Sequence, residues 1–337
     1  MPFTSRFALA LVAGTAISVA TPAIAQDMPL DITPLGDVEI RGNGEIDLIL
    51  IPGVGQNWQV WSDFMDRNDD RYRMHAVTLP GFDGTQPPPE REGERIDSTP
   101  WLDNAVAAVI AYCDEMQLDN PHVLGHGMGG HLALRVAVNH PERVASGISV
   151  VGAPALPIAG NAQLLNIQNR LAIVNGQFLP ALEGMQQGMW EANQQNRPKQ
   201  LVTNQARAEW LGRMISREPK DTLIQYQMEF AISDITQQMA QSDEPMMIIA
   251  NVRPDLDEQQ RPIAFANWDM QIANALSTTL VFFEDTNFYL QFDRPIALDN
   301  AVWSFVNDED VEGVFAGTPL PGAKRDQGDA EDENAQP

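Results

Sequence analysis

The segment Gly125-His-Gly-Met-Gly-Gly130 constrains this chain more than any other. An apolar run over 121–126 leads into it, and a helical pattern over 128–139 leaves it. A strand that turns through glycines straight into a helix sends the chain back across the sheet, so the next strand returns parallel to the first. The rest of the sequence keeps that rhythm. Short apolar runs predict further strands at 47–52, 74–79, 143–151, 246–252 and 278–284. Helical patterns cover 57–68, 101–117 and 296–306. In the second of these, Leu102, Val106, Val109, Ile110 and Cys113 recur at helical spacing behind Pro100. Strands alternating with helices predict an α/β domain built on a mostly parallel twisted sheet with flanking helices.

The stretch 157–242 breaks the rhythm. It carries helical patterns, many Gln and Asn residues and no strand, and it predicts a helical cap inserted into a core of 26–156 and 243–320. Met185, Met189, Met214, Met228 and Met239 fall inside it. Methionines fill irregular core gaps, and they also suit a lid over an apolar ligand.

Both ends read as separate from the fold. Residues 1–25 combine Arg6, an uncharged run from Phe7 to Ala20 and Ala23-Ile-Ala25, the pattern of a secretory signal peptide. Fourteen uncharged residues fall short of the roughly 20 that a spanning helix needs. The expected mature chain is exported, periplasmic or secreted, with no membrane span. Residues 321–337 are acidic and almost free of apolar side chains, which predicts a disordered tail. The formal charge of −25 argues against nucleic acid as a partner, because that footprint needs clustered Lys and Arg. A single cysteine excludes an intramolecular disulfide framework. His122, His126 and His131 do not form a zinc-binding helix pattern. Neither metal nor cofactor is expected.

Two motifs compete for the glycine turn. It fits G-x-G-x-x-G, the dinucleotide fingerprint, but two strands already precede it, and Val150, Val151 and Gly152 stand where an acid should follow. It also fits the nucleophile elbow G-x-S-x-G, with glycine at 127 in place of the nucleophile. The elbow is joined by Ile51-Pro-Gly-Val-Gly55, Leu79-Pro-Gly-Phe82, His140-Pro-Glu-Arg-Val144, and Asp285-Thr-Asn-Phe288 followed by Asp293-Arg-Pro295. In this order and spacing, roughly over 45–310, the chain resembles the α/β-hydrolase superfamily. The resemblance implies an eight-stranded sheet, a helical cap, and a triad in the order nucleophile, acid, histidine.

That machinery reads as degenerate. Gly127 occupies the nucleophile position and offers no attacking atom. Asn287, before Phe288, corresponds to the triad histidine, and an amide is no general base near neutral pH. The five histidines stand at 75, 122, 126, 131 and 140, all before that loop. Asp255 or Asp257 is the candidate acid; some members place the acid instead where this chain has Val151. The backbone N–H groups of Val54 and Met128 are the candidate oxyanion hole. His126 and His131 are expected to be structural. Three functions follow from these residues. The first is a capped protein without a triad that binds a small, partly apolar molecule or a partner. The second is an active hydrolase or lyase using the oxyanion hole and a carboxylate. The third is a purely structural or interaction role.

Overall fold

The computed structural model describes residues 32–309 except 92 and 159–165, together with 311, 314 and 315. The expected export segment 1–25 and acidic tail 321–337 lie outside the described residues. Eight strands form one sheet in the order β1-β3-β2-β4-β5-β6-β7-β8. They are β1 (Val38–Arg41), β2 (Ile46–Ile51), β3 (Tyr72–Val77), β4 (His122–His126), β5 (Ser146–Val150), β6 (Met246–Val252), β7 (Thr278–Glu284) and β8 (Val314–Phe315). Only β1 runs antiparallel to its neighbour; every other pair is parallel.

The central strands are apolar throughout because both faces of the sheet are covered. Leu48 and Leu50 point into one core with Met74, Leu124, Ile148 and Phe283. Ile49 and Ile51 point into the other with Val123, Leu132 and Ile248. The first core takes α1 (Ser62–Arg67) and α12 (Pro295–Val306), and the second takes α2 (Pro100–Glu115) and α3 (Met128–Asn139). The predicted strands and these helices fall within a few residues of their expected places. Some elements carry no clear signal in the sequence. Strand β1 is a four-residue, partly exposed edge with no apolar run, and β8 has two residues. Helix α10 (Gln260–Ile272) buries only Gln271 fully, so its apolar stripe is faint.

Between β5 and β6 the described chain is built of helices and loops, with one isolated antiparallel bridge between Ala155 and Asp234. The helices are α4 (Ile167–Ile173), which continues through a wider turn at Val174–Phe178 into α5 (Leu179–Glu183), then α6 (Gln187–Asn196), α7 (Gln205–Ile215), α8 (Lys220–Ile232) and α9 (Thr236–Ala240). A short α11 (Leu290–Asp293) precedes α12. Among the described residues no helix is long and apolar enough to cross a membrane.

Helix α8 is bound to the core by a carboxylate. Thr99, the residue before α2, makes no capping bond with its side chain. The N–H groups of Trp101 and Leu102 donate instead to Glu229 Oε2 at 2.9 and 3.0 Å. Gln225 Nε2 donates to the other oxygen at 2.7 Å. Unsatisfied donors at a helix start attract an anion, which explains an acid with no exposed surface. Burial nonetheless pushes the Glu229 carboxyl up to about 7, with these three bonds pulling the other way. A carboxyl raised in the folded state stabilises most below its ordinary range, and that contribution is lost as pH rises through about 7. Glu218, also raised to about 7 by burial, acts in the same direction. The expected outcome is a melting temperature that falls between pH 5 and pH 8. Glu229→Gln should flatten that fall, by about 2 kcal/mol of relative stability, and leave the Glu218 part. Thermal denaturation at both pH values measures it.

Candidate functional site

The turn between β4 and α3 is built from backbone. Gly127 has φ +56° and ψ −119°, a conformation side chains rarely adopt. A Cβ on Gly129 would lie 2.4 Å from the carbonyl oxygens of Ile51 and Pro52. Strand and helix can meet this closely only without a side chain there. The approach sets the start of α3 beside the loop that follows β2, and residues of both line one cavity of about 320 Å³.

From the core the cavity is lined by Val54, Gly127, Met128, Val151, Phe288 and Tyr289. From the inserted helices it is lined mainly by apolar groups such as Phe178, Ile215, Met228 and Phe230, with Gln194, Arg197 and Gln227 as polar exceptions. Of the five methionines in the insertion, Met228 reaches the cavity, Met239 is buried in the core and Met189 is 63% exposed. The N–H groups of Val54 and Met128 have no acceptor among the described residues. The loop that carries Val54 is held by Gln56: its Oε1 accepts from Gly53 N at 3.2 Å, and its Nε2 donates to the Tyr289 hydroxyl at 2.6 Å. Burial holds the Tyr289 phenol well above its ordinary range. Val151, at the end of β5, has φ +56°, a strained setting for a β-branched residue.

The residue facing Gly127 is Phe288, not Asn287. A Cβ on Gly127 would stand 3.0 Å from Phe288 Cζ. The Asn287 side chain instead donates to Thr203 Oγ1 at 3.0 Å, and its backbone carbonyl accepts from Asn251 Nδ2 at 3.1 Å. In sequence, polar Asn287 precedes one aromatic residue and apolar Phe288 precedes another, and adjacency alone does not say which of the two faces Gly127. Only the backbone path out of β7 does. Phe288 N and Tyr289 N both donate to Leu201 O, which fixes that path against the inserted helices.

Neither candidate acid reaches the cavity wall. Asp255 is exposed and paired with Arg253. Asp257 accepts from the N–H groups of Gln259 and Gln260, each at 2.9 Å, at the start of α10. Both are engaged in the local structure of an exposed loop, which is what draws them away. His126 is fully buried between Phe288 and Tyr289, with ring centroids 4.7 and 4.6 Å away, and its Nε2 donates to Phe288 O at 3.0 Å. Burial pushes its imidazole down to about 4. His131 lies between Ala153 O and Ser233 Oγ, and burial pushes it down to about 3. Both are neutral structural groups at neutral pH. Among the described residues no group of three potential metal ligands occurs.

A model of the alpha/beta hydrolase family matches residues 48–301, and the chain belongs to that family. It is 40% identical over 117 residues to a pimeloyl-[acyl-carrier protein] methyl ester esterase of Aeromonas hydrophila, a match covering 35% of this chain and 41% of that protein. It is 32% identical over 106 residues to the dihydrolipoyllysine-residue acetyltransferase component of the acetoin cleaving system of Cupriavidus necator, covering 32% and 26% respectively. The chain thus matches about two-fifths or less of the length of these curated relatives. Among solved structures it is similar to a hydrolase from Pseudomonas aeruginosa, with TM-score 0.62 and 17% identity over 80% of this chain and 93% of that one. It is also similar to an enol-lactonase from Burkholderia xenovorans, with TM-score 0.59 and 13% identity over 81% and 100%. At these identities the likeness is one of fold.

Replacing Gly127 by serine should cost stability twice, through the positive φ and through the Phe288 ring. Gly127→Ser is expected to lose about 1–3 kcal/mol in urea denaturation. The loss should be smaller when Phe288→Ala is already present, because the ring no longer opposes the new side chain. Equal losses in the two backgrounds would mean that the two positions do not pack against each other.

Proposed function

We propose that this chain is an α/β-hydrolase-fold binding protein that holds a small, partly apolar carbonyl or carboxylate compound under its cap without cleaving it. The observation that carries this reading is Phe288 packed over Gly127. An acyl transfer needs a nucleophile and a base within hydrogen-bond reach. Hydrogen and a phenyl ring occupy the facing positions here. What persists is the part a ligand can use without chemistry: unengaged N–H groups on Val54 and Met128, the second at the start of a 12-residue helix. In this reading Gly127 and Phe288 are the vestigial nucleophile and base positions.

A second reading draws support from the Aeromonas relative, which is named for a methyl ester esterase. The chain would then retain ester turnover, with a carboxylate such as Asp255 or Asp257 activating water beside the oxyanion hole. The engagement of both carboxylates outside the cavity weighs against it. One experiment separates the two. Treatment with an alkyl fluorophosphonate is expected to leave the mass unchanged, and methyl octanoate is expected to raise the melting temperature without releasing methanol. A stoichiometric adduct would overturn the binding reading. So would steady methanol release abolished by Met228→Trp, which fills the cavity.

We also propose that the protein is exported, on the charge and apolar pattern of residues 1–25. Fractionation of the native host, with sequencing of the recovered N-terminus, should find chains beginning at Gln26 outside the cytoplasm. Uncleaved chains confined to the cytoplasm would exclude export.

A further inference from the structure

The oxyanion-hole side of the cavity accounts for one end of a ligand, but the inserted helices bring polar groups of their own. Gln194 lies in the last turns of α6 and Arg197 directly follows that helix. Residues three apart share a helix face, and both line the cavity. Gln194 is 6% exposed, and its amide has no hydrogen-bond partner among the described residues. An unpaired amide on a cavity wall offers donors and an acceptor to a ligand or water. Arg197 is exposed at the rim, with no carboxylate within ion-pair distance among the described residues. Its positive charge favours the ionised form of the Tyr289 phenol, and both residues line the cavity. Phe178 and Leu201 line the same cavity and are apolar.

We infer that the ligand is an amphipathic carboxylate, whose head accepts hydrogen bonds from the Arg197 guanidinium and the Gln194 amide and whose apolar chain runs beneath the cap toward Gly127, where the Val54 and Met128 N–H groups are left for a second polar group at its far end. This rests on the reading of the cavity as a binding site. Arginine offers a planar fork that matches a carboxylate, and a neighbouring amide N–H adds a third donor. The chain's net charge of −25 repels anions at long range, so selection for an anionic head must come from local donors of this kind.

The test compares octanoate with methyl octanoate, equal in acyl chain and different in head charge, by titration calorimetry of the full chain. Octanoate is expected to bind at least tenfold more tightly. Arg197→Gln and Gln194→Leu should each weaken octanoate about tenfold and erase its advantage over methyl octanoate, whose continued binding shows the cavity intact. Arg197→Lys should recover part of the octanoate affinity. Equal affinity for the two probes would overturn the inference. So would octanoate binding indifferent to Arg197→Gln, with the head then seated elsewhere, for instance on Val54 and Met128. Either result would leave the binding-site reading standing. Binding of neither probe would remove that reading, and the inference with it.

Discussion

Everything in this molecule is arranged around one backbone-to-backbone contact. The first turn of α3 packs on the end of β2, where a Cβ on Gly129 would sit 2.4 Å from two carbonyl oxygens. On the other side of the same turn, a Cβ on Gly125 would sit 2.0 Å from Gly129 O. No side chain can be accommodated at either place without moving the central strands apart. The contact joins three neighbouring strands, β2, β4 and β5, at their C-terminal ends. It therefore sets the start of α3 and the loop through Val54 in a single arrangement.

That dependence separates what the fold must keep from what it can lose. The N–H groups of Val54 and Met128 come with the backbone path, so they persist as long as the strands pack. A nucleophile and a base are each one side chain, replaceable without disturbing the sheet. Glycine at 127 avoids the strain that its φ of +56° would impose on a side chain. Phe288 then fills the space that a nucleophile side chain would take, and His126 secures it through the Phe288 carbonyl. The proposed binding role draws on the part that the fold must keep.

The same division explains what the sequence could reveal. Strands over 246–252 and 278–284 were legible because buried parallel strands are continuous apolar runs, and their expected bounds coincide with those observed. The elbow was legible because glycine spacing reports backbone contacts directly. Strand β1 and helix α10 were not, since neither buries a strong apolar face. Asp255 and Asp257 were plausible on position alone, yet each carboxylate has a nearer partner in its own loop. Phe288 was missed for a different reason: side-chain direction out of a loop depends on tertiary bonds, here from Leu201 O, which lies 87 residues earlier in the chain. Gln194 and Arg197 carry no motif, and only their placement on one cavity makes them informative.

The inserted helices are not loosely laid over this site. Glu229 binds α8 to the start of α2, Tyr226 donates to Pro80 O at 3.0 Å, and His131 reaches Ser233 just past the end of α8. Midway along the insertion Thr203 N donates to Asp293 Oδ1 at 3.1 Å, and Leu201 O accepts from the N–H groups of Phe288 and Tyr289. Core and cap thus hold each other at several points around the cavity, and none of these bonds passes through Gln194, Arg197 or Gln227. The polar groups left over on the cap side are free of structural duty. In a cavity walled mostly by apolar side chains, such groups decide orientation and selectivity, because any ligand that fails to satisfy them pays their desolvation. In the proposed binding role, ligand choice belongs to Gln194, Arg197 and Gln227 of the inserted segment, while the sheet and its elbow set where the ligand lies.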